Sequence, residues 1–406
     1  MLTARCQCGE VFHAEESHAG RRLRCRCGRV VVLPVRVQAA PTRRETAEPR
    51  PPSQPKARPR RRSGPRVEGG ARARLARWVE RVSWGYLAAA IAACAVLWGL
   101  GDRWVPATAF LFAGKWPLLL PLAVLVPLAV GLRARLLLPL AAAAGVVLVG
   151  VMGWRAGVRL PAGGDVRMPL RVVTFNADGG AGAWVRLPDL LETWRPDVVA
   201  FQECGGPLAE AIPALPGWHH HEKDSLCLLS RYPIVAAEMM DRSALLHVAE
   251  TSSVGGTGIV IRYTLRTPAG PVSLTNVHLE TPRKGFEALA GFGWTAMRTN
   301  TELRAIEAHL ARAWVDGGTA PRLVVGDFNT PVESRIFQEH WSGLTDAWEA
   351  AGRGFGWTKD NGWIRVRIDH VLMGRGWRAR RISTSPDAAG SDHHPVIADL
   401  QLLERR

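Results

Sequence analysis

The octapeptide VVGDFNTP (324–331) ends an apolar run with a glycine, then sets an acid and an amide two residues apart. In an extended chain, residues i and i+2 face the same way. Asp327 and Asn329 therefore point into one space while Phe328 packs behind them. Burying such groups unpaired is costly, so the strand implies a polar site at its end. Five further stretches follow the same plan: VVTFNA ends at Asn176, VVAFQE at Glu203 and LTNVHLE near His278, while RIDHVL carries Asp369 and SDHHPV carries Asp392 and His393. Any one of these polar residues could cap a turn. Six together predict strands converging at one sheet edge to form a cleft rich in carboxylate and imidazole.

That residue set suits hydrolysis of a phosphate ester. Glu203 and Asp392, helped by Asn176, offer hard oxygen ligands for Mg2+ or Mn2+. Asp327 is placed to orient or activate water. His393 would contact phosphate or share in proton transfer, with Asp369 fixing its tautomer. His278 is a second imidazole for the leaving group, and the Asn329 amide a donor to a phosphate oxygen.

The segments TFN (174–176), FQE (201–203), NVHL (276–279), GDFN (326–329), RIDHV (367–371) and SDHHPV (391–396) resemble, in order, those of the endonuclease/exonuclease/phosphatase superfamily. The resemblance implies a four-layer α/β/β/α sandwich over 165–406. It also implies metal-dependent phosphoester cleavage without a covalent intermediate. By it, Asn176, Glu203 and Asp392 hold metal, Asp327 and Asn329 position water and phosphate, and His393 pairs with Asp369. HLETPRKGFEAL (278–289) is similar to a membrane-anchored bacterial branch, in which Arg283 and Lys284 read equally as phosphate contacts or as a solvated loop. The acid that supports the second histidine in some nuclease branches has no assigned counterpart, although Asp224 and Ser225 lie in that region.

Residues 1–36 carry the pairs Cys6/Cys8 and Cys25/Cys27, each followed by glycine. Four thiolates suit a structural Zn2+, and a module this small needs such a staple. The pairs are C-x-C, tighter than the usual C-x2-C spacing. The segment resembles short zinc-ribbon-like modules of bacterial proteins. Residues 37–82 are rich in Pro and Arg and read as a disordered basic linker. Within 83–155, uncharged runs at 84–100, 116–132 and 136–154 read as three transmembrane helices. Arg72, Arg74, Arg77 and Arg81 precede the first run, and Arg133 and Arg135 fill the second turn. These basic residues predict a multi-pass protein of the cell membrane, with a cytoplasmic N-terminus and an extracytoplasmic catalytic domain. Arg155 and Arg159 run against that orientation.

The formal charge of +16 is uneven. Residues 1–164 hold 26 Lys+Arg against 8 Asp+Glu, whereas 165–406 hold 26 against 28, a net of −2. The basic character belongs to the N-terminal part and gives no argument for a nucleic-acid grip by the catalytic part. Nucleic acid, a phospholipid headgroup and a small phosphodiester all stay open as substrates. A membrane-tethered binding or scaffold protein of weak activity is the alternative. Cys204 and Cys227 are expected as free thiols in preference to a bridge, Phe292 and Trp294 as core residues. A helix over 300–316 is expected from Leu303, Ile306, Leu310 and Trp314 at helical spacing.

Overall fold

The structure, a computed structural model, describes residues 2–34, 69–157, 164–180, 182–252, 255, 258–291, 293–318 and 321–404. Most of the expected linker, along with Arg159 and Phe292, lies outside them. The chain forms two units, Met1–Arg66 and Val67–Arg406.

The first unit is two hairpins. β1 (Leu2–Arg5) pairs with β2 (Val11–Ala14), and β3 (Arg22–Arg24) with β4 (Val30–Val32). Gly9 and Gly28 take φ of 96° and 85° just after the cysteine pairs, a conformation that glycine adopts without steric cost. Each turn thereby folds its two thiols toward those of the other hairpin. The four sulfurs gather within 4.8 Å of one another, with Cys6 and Cys27 3.7 Å apart and Cys8 and Cys25 3.3 Å apart. A tetrahedral zinc with bonds of about 2.3 Å sets its sulfurs about 3.8 Å apart, so this cluster fits one.

The second unit begins with apolar helices. α1 (Gly69–Ala95) starts inside the segment read as linker, because Ala76 and Val79 bury one face of it. Its helical path runs on to Arg103. α2 (Val105–Phe112), α3 (Leu120–Leu132) and α4 (Leu137–Gly145) follow. Gly70–Arg103 and Ala134–Val151 are long and apolar enough to cross a membrane, with mean hydropathies of 1.6 and 2.1. A third span arises if Val105–Phe112 and Trp116–Leu132, bent by 85°, act together. Leu138, Val124 and Val130 project outward, each more than 60% exposed, as side chains facing lipid would. Glu80 pairs with Arg133 and Arg135 at the turn between α3 and α4.

After β5 (Arg155–Ala156) come β6 (Val166–Asn176), α5 (Ala183–Trp194), β7 (Val198–Gln202), α6 (Gly206–Ala211), β8 (His219–Lys223), β9 (Leu226–Ser230) and β10 (Ile234–Met239). Next are α7 (Ser243–Ser252), β11 (Ile259–Thr267), β12 (Gly270–His278), α8 (Arg283–Ala290), α9 (Trp294–Asp316) and β13 (Arg322–Asp327). The chain continues through α10 (Arg335–His340), β14 (Thr345–Asp346), α11 (Ala347–Ala351) and β15 (Arg353–Gly354). It ends in β16 (Lys359–Asp360), β17 (Arg365–Val366), β18 (Asp369–Met373), β19 (Trp377–Thr384) and β20 (Val396–Leu403). Two six-stranded sheets result, ordered β19-β20-β6-β7-β9-β8 and β10-β11-β12-β13-β18-β14.

Strand alternation builds the layers. Leu170, Val172, Val198 and Leu228 of one sheet face Tyr263, Leu274, Val325 and Val371 of the other across the central core. The opposite face of the first sheet, with Val173, Phe175 and Phe201, packs on Leu187, Leu190 and Trp194 of α5. That of the second, with Val277, Val324 and Leu372, packs under α7, α9 and α10. This is a four-layer α/β/β/α sandwich.

Three expectations are corrected here. Cys204 and Cys227 form a disulfide, because β7 and β9 are neighbours and bring the two Cα atoms to 5.8 Å. On α9, Ile306 and Leu310 are exposed, and the buried face carries Asn300, Leu303, Arg304, Glu307 and Ala311. The polar members of that face have partners in the site loops, which make their burial tolerable. Trp294 is 48% exposed, so it does not serve the core.

Candidate active site

Register places the site. β12 runs parallel to β13 with His278 opposite Asp327, and β13 antiparallel to β18 with Asp327 opposite Asp369. His278, Asp327 and Asp369 thus stand in one row across three adjacent strands. In the facing sheet, β6 runs parallel to β7 with Asn176 opposite Gln202, so Asn176 and Glu203 emerge side by side. Gly326 explains the opening of the GDFN stretch. Its φ is 140°, and a Cβ there would meet the Val277 carbonyl oxygen at 1.9 Å, so only glycine lets β13 lie this close to β12.

The sheets are tied together beneath the site. Gln202 Nε2 donates to Asn276 Oδ1 at 2.7 Å, and Asn276 Nδ2 donates to the Phe201 carbonyl at 3.0 Å. Above this bridge, Asn176 Nδ2 donates to Glu203 Oε1 at 2.9 Å and to Asp327 Oδ2 at 3.0 Å. Its Oδ1 accepts from the Asp178 amide. Glu203 and Asn329 both have φ of 48°, a left-handed conformation that costs energy in a non-glycine residue and turns each out of its strand line. Asp327 Oδ1 accepts from the Asn329 backbone N–H at 2.8 Å, while Asn329 Nδ2 donates to the Leu279 carbonyl at 2.8 Å. One amide N–H of Asn329 therefore stays available to the cleft that it lines.

His393 closes the other side. Its Nδ1–H donates to Asp369 Oδ2 at 2.9 Å, and its Nε2 lies 3.8 Å from Asp327 Oδ2 and 3.7 Å from Asp392 Oδ1. Thr358 Oγ1 accepts from the Asp369 amide and holds that strand end. Burial alone would lower the His393 pKa, but the facing Asp369 and Asp327 carboxylates outweigh it and raise the ring to about 9. Burial, with the Asp369 charge beside it, pushes Asp327 above the usual carboxylate range. Asp369 is held low by His393, against its own burial.

Asn176, Glu203, His278, Asp327, Asp369, Asp392 and His393 form one connected set, with the His278 Nε2 3.6 Å from Glu203. Asn329 and Arg283 line the same cleft, of about 530 Å3. Asp327, Asp369 and His393 each offer a ligand atom, and these three atoms lie within 4.8 Å of one another.

Sequence reasoning missed three contributors. Lys359, on β16, donates to Asp392 Oδ2 at 2.6 Å and lies 3.0 Å from His393 Nε2. It can donate to that nitrogen only while the ring is neutral, and its charge opposes the rise in the His393 pKa. Nothing marks a lone lysine in a polar hairpin. Arg304 donates to the carbonyls of Glu280 and Asn329 and to Thr330 Oγ1, and Glu307 accepts from the Gly258 and Glu280 amides. A polar i, i+3 pair inside an amphipathic helix was the visible signal for these two.

The endonuclease/exonuclease/phosphatase family model matches residues 173–393, more than half of the chain. The chain belongs to this family. Its hydrolase fold is that of phosphoester-cleaving enzymes. No curated protein matches the chain in sequence. Among solved structures, humanized D. rerio TDP2 is similar at 15% identity and a TM-score of 0.44, over 57% of this chain and 98% of that one. A family member from Beutenbergia cavernae aligns at 20% identity and 0.43, covering 58% and 72%. The mannosyl-6-phosphatase of Bacteroides thetaiotaomicron aligns at 17% and 0.41, covering 57% and 99%.

Proposed function

We propose that this chain is a membrane-anchored, divalent-metal-dependent phosphoesterase that cleaves its substrate by direct attack of water. The observation that carries the reading is His393 held between Asp369 and Asp327, with Asp327 joined through Asn176 to Glu203 across the cleft. Glu203 and Asp392 supply the hard oxygen chemistry that Mg2+ or Mn2+ prefers, Asn176 Nδ2 holds the Glu203 carboxylate in place, and Glu203 is partly open to the cleft. A bound ion would neutralise charge developing on the phosphoryl oxygens.

The protein's own groups divide the remaining work. Asp327, pinned by Asn176 and the Asn329 amide and with its pKa raised, is suited to orient water and accept its proton. His393 presents Nε2–H to a phosphoryl oxygen while Asp369 fixes its orientation. Lys359 and Arg283 add positive charge for the phosphate, and His278 stands near enough to protonate the leaving group.

The cleft also has an apolar wall of Phe112, Ile259, Phe286 and Ile364, and Phe112 comes from the helical hairpin next to the proposed membrane spans. With a catalytic part of net charge −2, this wall favours an amphiphilic phosphoester at a bilayer surface over duplex nucleic acid. The Cys204–Cys227 disulfide supports an extracytoplasmic placement, since such links persist in oxidising compartments.

The test uses the full chain in detergent with bis-p-nitrophenyl phosphate and Mg2+ or Mn2+. Turnover should vanish on chelation and in Asp327→Ala and His393→Ala. Wild-type rates in both variants would dismiss the site. A panel of phospholipids, DNA, RNA and sugar phosphates then separates the substrate classes. A C-terminal alkaline phosphatase fusion should be active and a fluorescent-protein fusion dark; the reverse pattern would put the hydrolase in the cytoplasm.

A further inference from the structure

A second cavity, of about 330 Å3, lies beside the catalytic cleft, within the size range of small-ligand pockets. Segment 363–368 forms the partition. Ile364 and Ile368 line the cleft, Trp363, Arg365 and Arg367 line the second cavity, and Val366 borders both. The other walls come from 114–116 and 152–153, at the ends of the apolar helices, and from 331–333 and 355–357.

Two opposite charges are held inside. The side chains of Lys115 and Glu333 are only 9% and 7% exposed, yet Nζ and Oε1 stand 3.9 Å apart. Among the described residues neither side chain has a hydrogen-bond partner. Buried charges are normally paired at hydrogen-bond distance, since desolvation is otherwise uncompensated. The neighbouring cations are paired elsewhere, Arg365 with Asp360 and Arg367 with Asp346 and Glu349, and Glu333 feels Arg367 only at longer range. Around the unbonded pair stand two aromatic couples, Phe355 stacked on Trp357 at 4.6 Å and Trp116 against Trp363 at 5.7 Å. The Arg365 guanidinium lies 5.2 Å over the Trp357 ring, and Phe355, Trp116 and Trp363 offer further ring faces of the kind that attract cations.

We infer that this cavity binds a zwitterionic phosphodiester headgroup, with its phosphate on Lys115 and its ammonium on Glu333 among the aromatic rings. An anion alone would leave Glu333 opposed, and a cation alone would leave Lys115 opposed; a ligand carrying both charges gives each a partner. The helix ends that frame the cavity are where the headgroups of a bilayer lie if these helices span it, with tryptophans of the kind found at that depth. The inference shares the membrane reading of the helices but not the identity of the phosphoester that is cleaved.

The experiment is native mass spectrometry of the full chain carrying Asp327→Ala, so that turnover cannot remove a bound lipid. Equal amounts of phosphatidylethanolamine and phosphatidylglycerol are offered in the detergent. The zwitterionic lipid should be retained preferentially. Glu333→Gln, Lys115→Gln and the surface change Trp363→Ala should each weaken retention about tenfold or more. Trp363 is 72% exposed, so its replacement leaves the core intact if the charge variants fail to fold. Displacement by soluble glycerophosphoethanolamine would extend the site to free headgroups; resistance to it would restrict the site to intact lipid. Equal retention of both lipids, no retention, or retention untouched by Glu333→Gln and Trp363→Ala would overturn the inference. Hydrolysis of bis-p-nitrophenyl phosphate, measured separately with Asp327 intact, reports on the catalytic reading alone.

Discussion

Phe112 of α2 meets Phe286 of α8 edge to face, with ring centroids 5.5 Å apart at 73°. One ring belongs to the apolar N-terminal helices and the other to the helix that follows His278, and both line the cleft. Phe112→Ala should therefore discriminate among substrates. We expect KM for a micellar phospholipid to rise about tenfold, the worth of a lost aromatic contact with its buried area. The rate on bis-p-nitrophenyl phosphate should stay within twofold or so. Equal losses on both substrates would remove the apolar wall from substrate recognition.

The Asp369 carboxylate is one of the two that raise the His393 pKa to about 9. The imidazolium is then the working form near neutral pH and is lost as pH climbs through about 9. Asp369→Asn removes one of those charges, so the basic limb of the kcat/KM profile should move to lower pH. An unmoved limb with reduced rate would mean that Asp369 only positions the ring.

Lys359 Nζ donates to Asp392 Oδ2 and stands beside His393 Nε2. Lys359→Met should weaken phosphate binding by about 1.5–3 kcal/mol, the range for hydrogen bonds to charged groups, seen as a tenfold or greater rise in KM. Inhibition by inorganic phosphate should weaken in parallel. A variant with unchanged KM would confine Lys359 to holding Asp392.

Arg304 is buried under the loops that carry Glu280, Asn329 and Thr330. Arg304→Met strands those acceptors and leaves Glu307 without its nearby positive charge. A loss of about 3–5 kcal/mol, or on the order of 10 °C in the thermal midpoint, is expected. A midpoint within a degree or so of wild type would show that the loops hold themselves.

The disulfide closes a separation of 23 residues directly after Glu203. The double variant Cys204→Ala/Cys227→Ala should cost about 3 kcal/mol and lower activity by loosening Glu203. Thiol labelling of the denatured, unreduced chain should modify five of its seven cysteines. Seven modified thiols would rule the bridge out.

Much of the site was legible because strands expose their polar ends in the sequence: an apolar run that stops at Asn176 or Asp327 announces both its burial and its exit. Its support was not legible. Arg304 and Glu307 are buried where Ile306 and Leu310 are exposed, since their partners are backbone groups on distant loops that no helical period can reveal. The bridge from Cys204 to Cys227 depends on which strands become neighbours, and that order is a property of the sheet. Lys359 reaches the cleft through the β16–β17 hairpin, whose placement only the fold supplies.

Asp102, at the end of the first long helix, accepts hydrogen bonds from Ser334 Oγ and the Ile336 amide at the start of α10, and β5 pairs with β15. The apolar N-terminal segment thus braces a helix and completes a ribbon of the hydrolase fold. Excising residues 165–406 as a convenient soluble fragment would strip Asp102 from that helix start, leaving only the Ser334 cap, and would bare the apolar surface around Val332 and Phe337. Preparations of the isolated domain should clump, and a workable expression boundary lies upstream of the apolar helices.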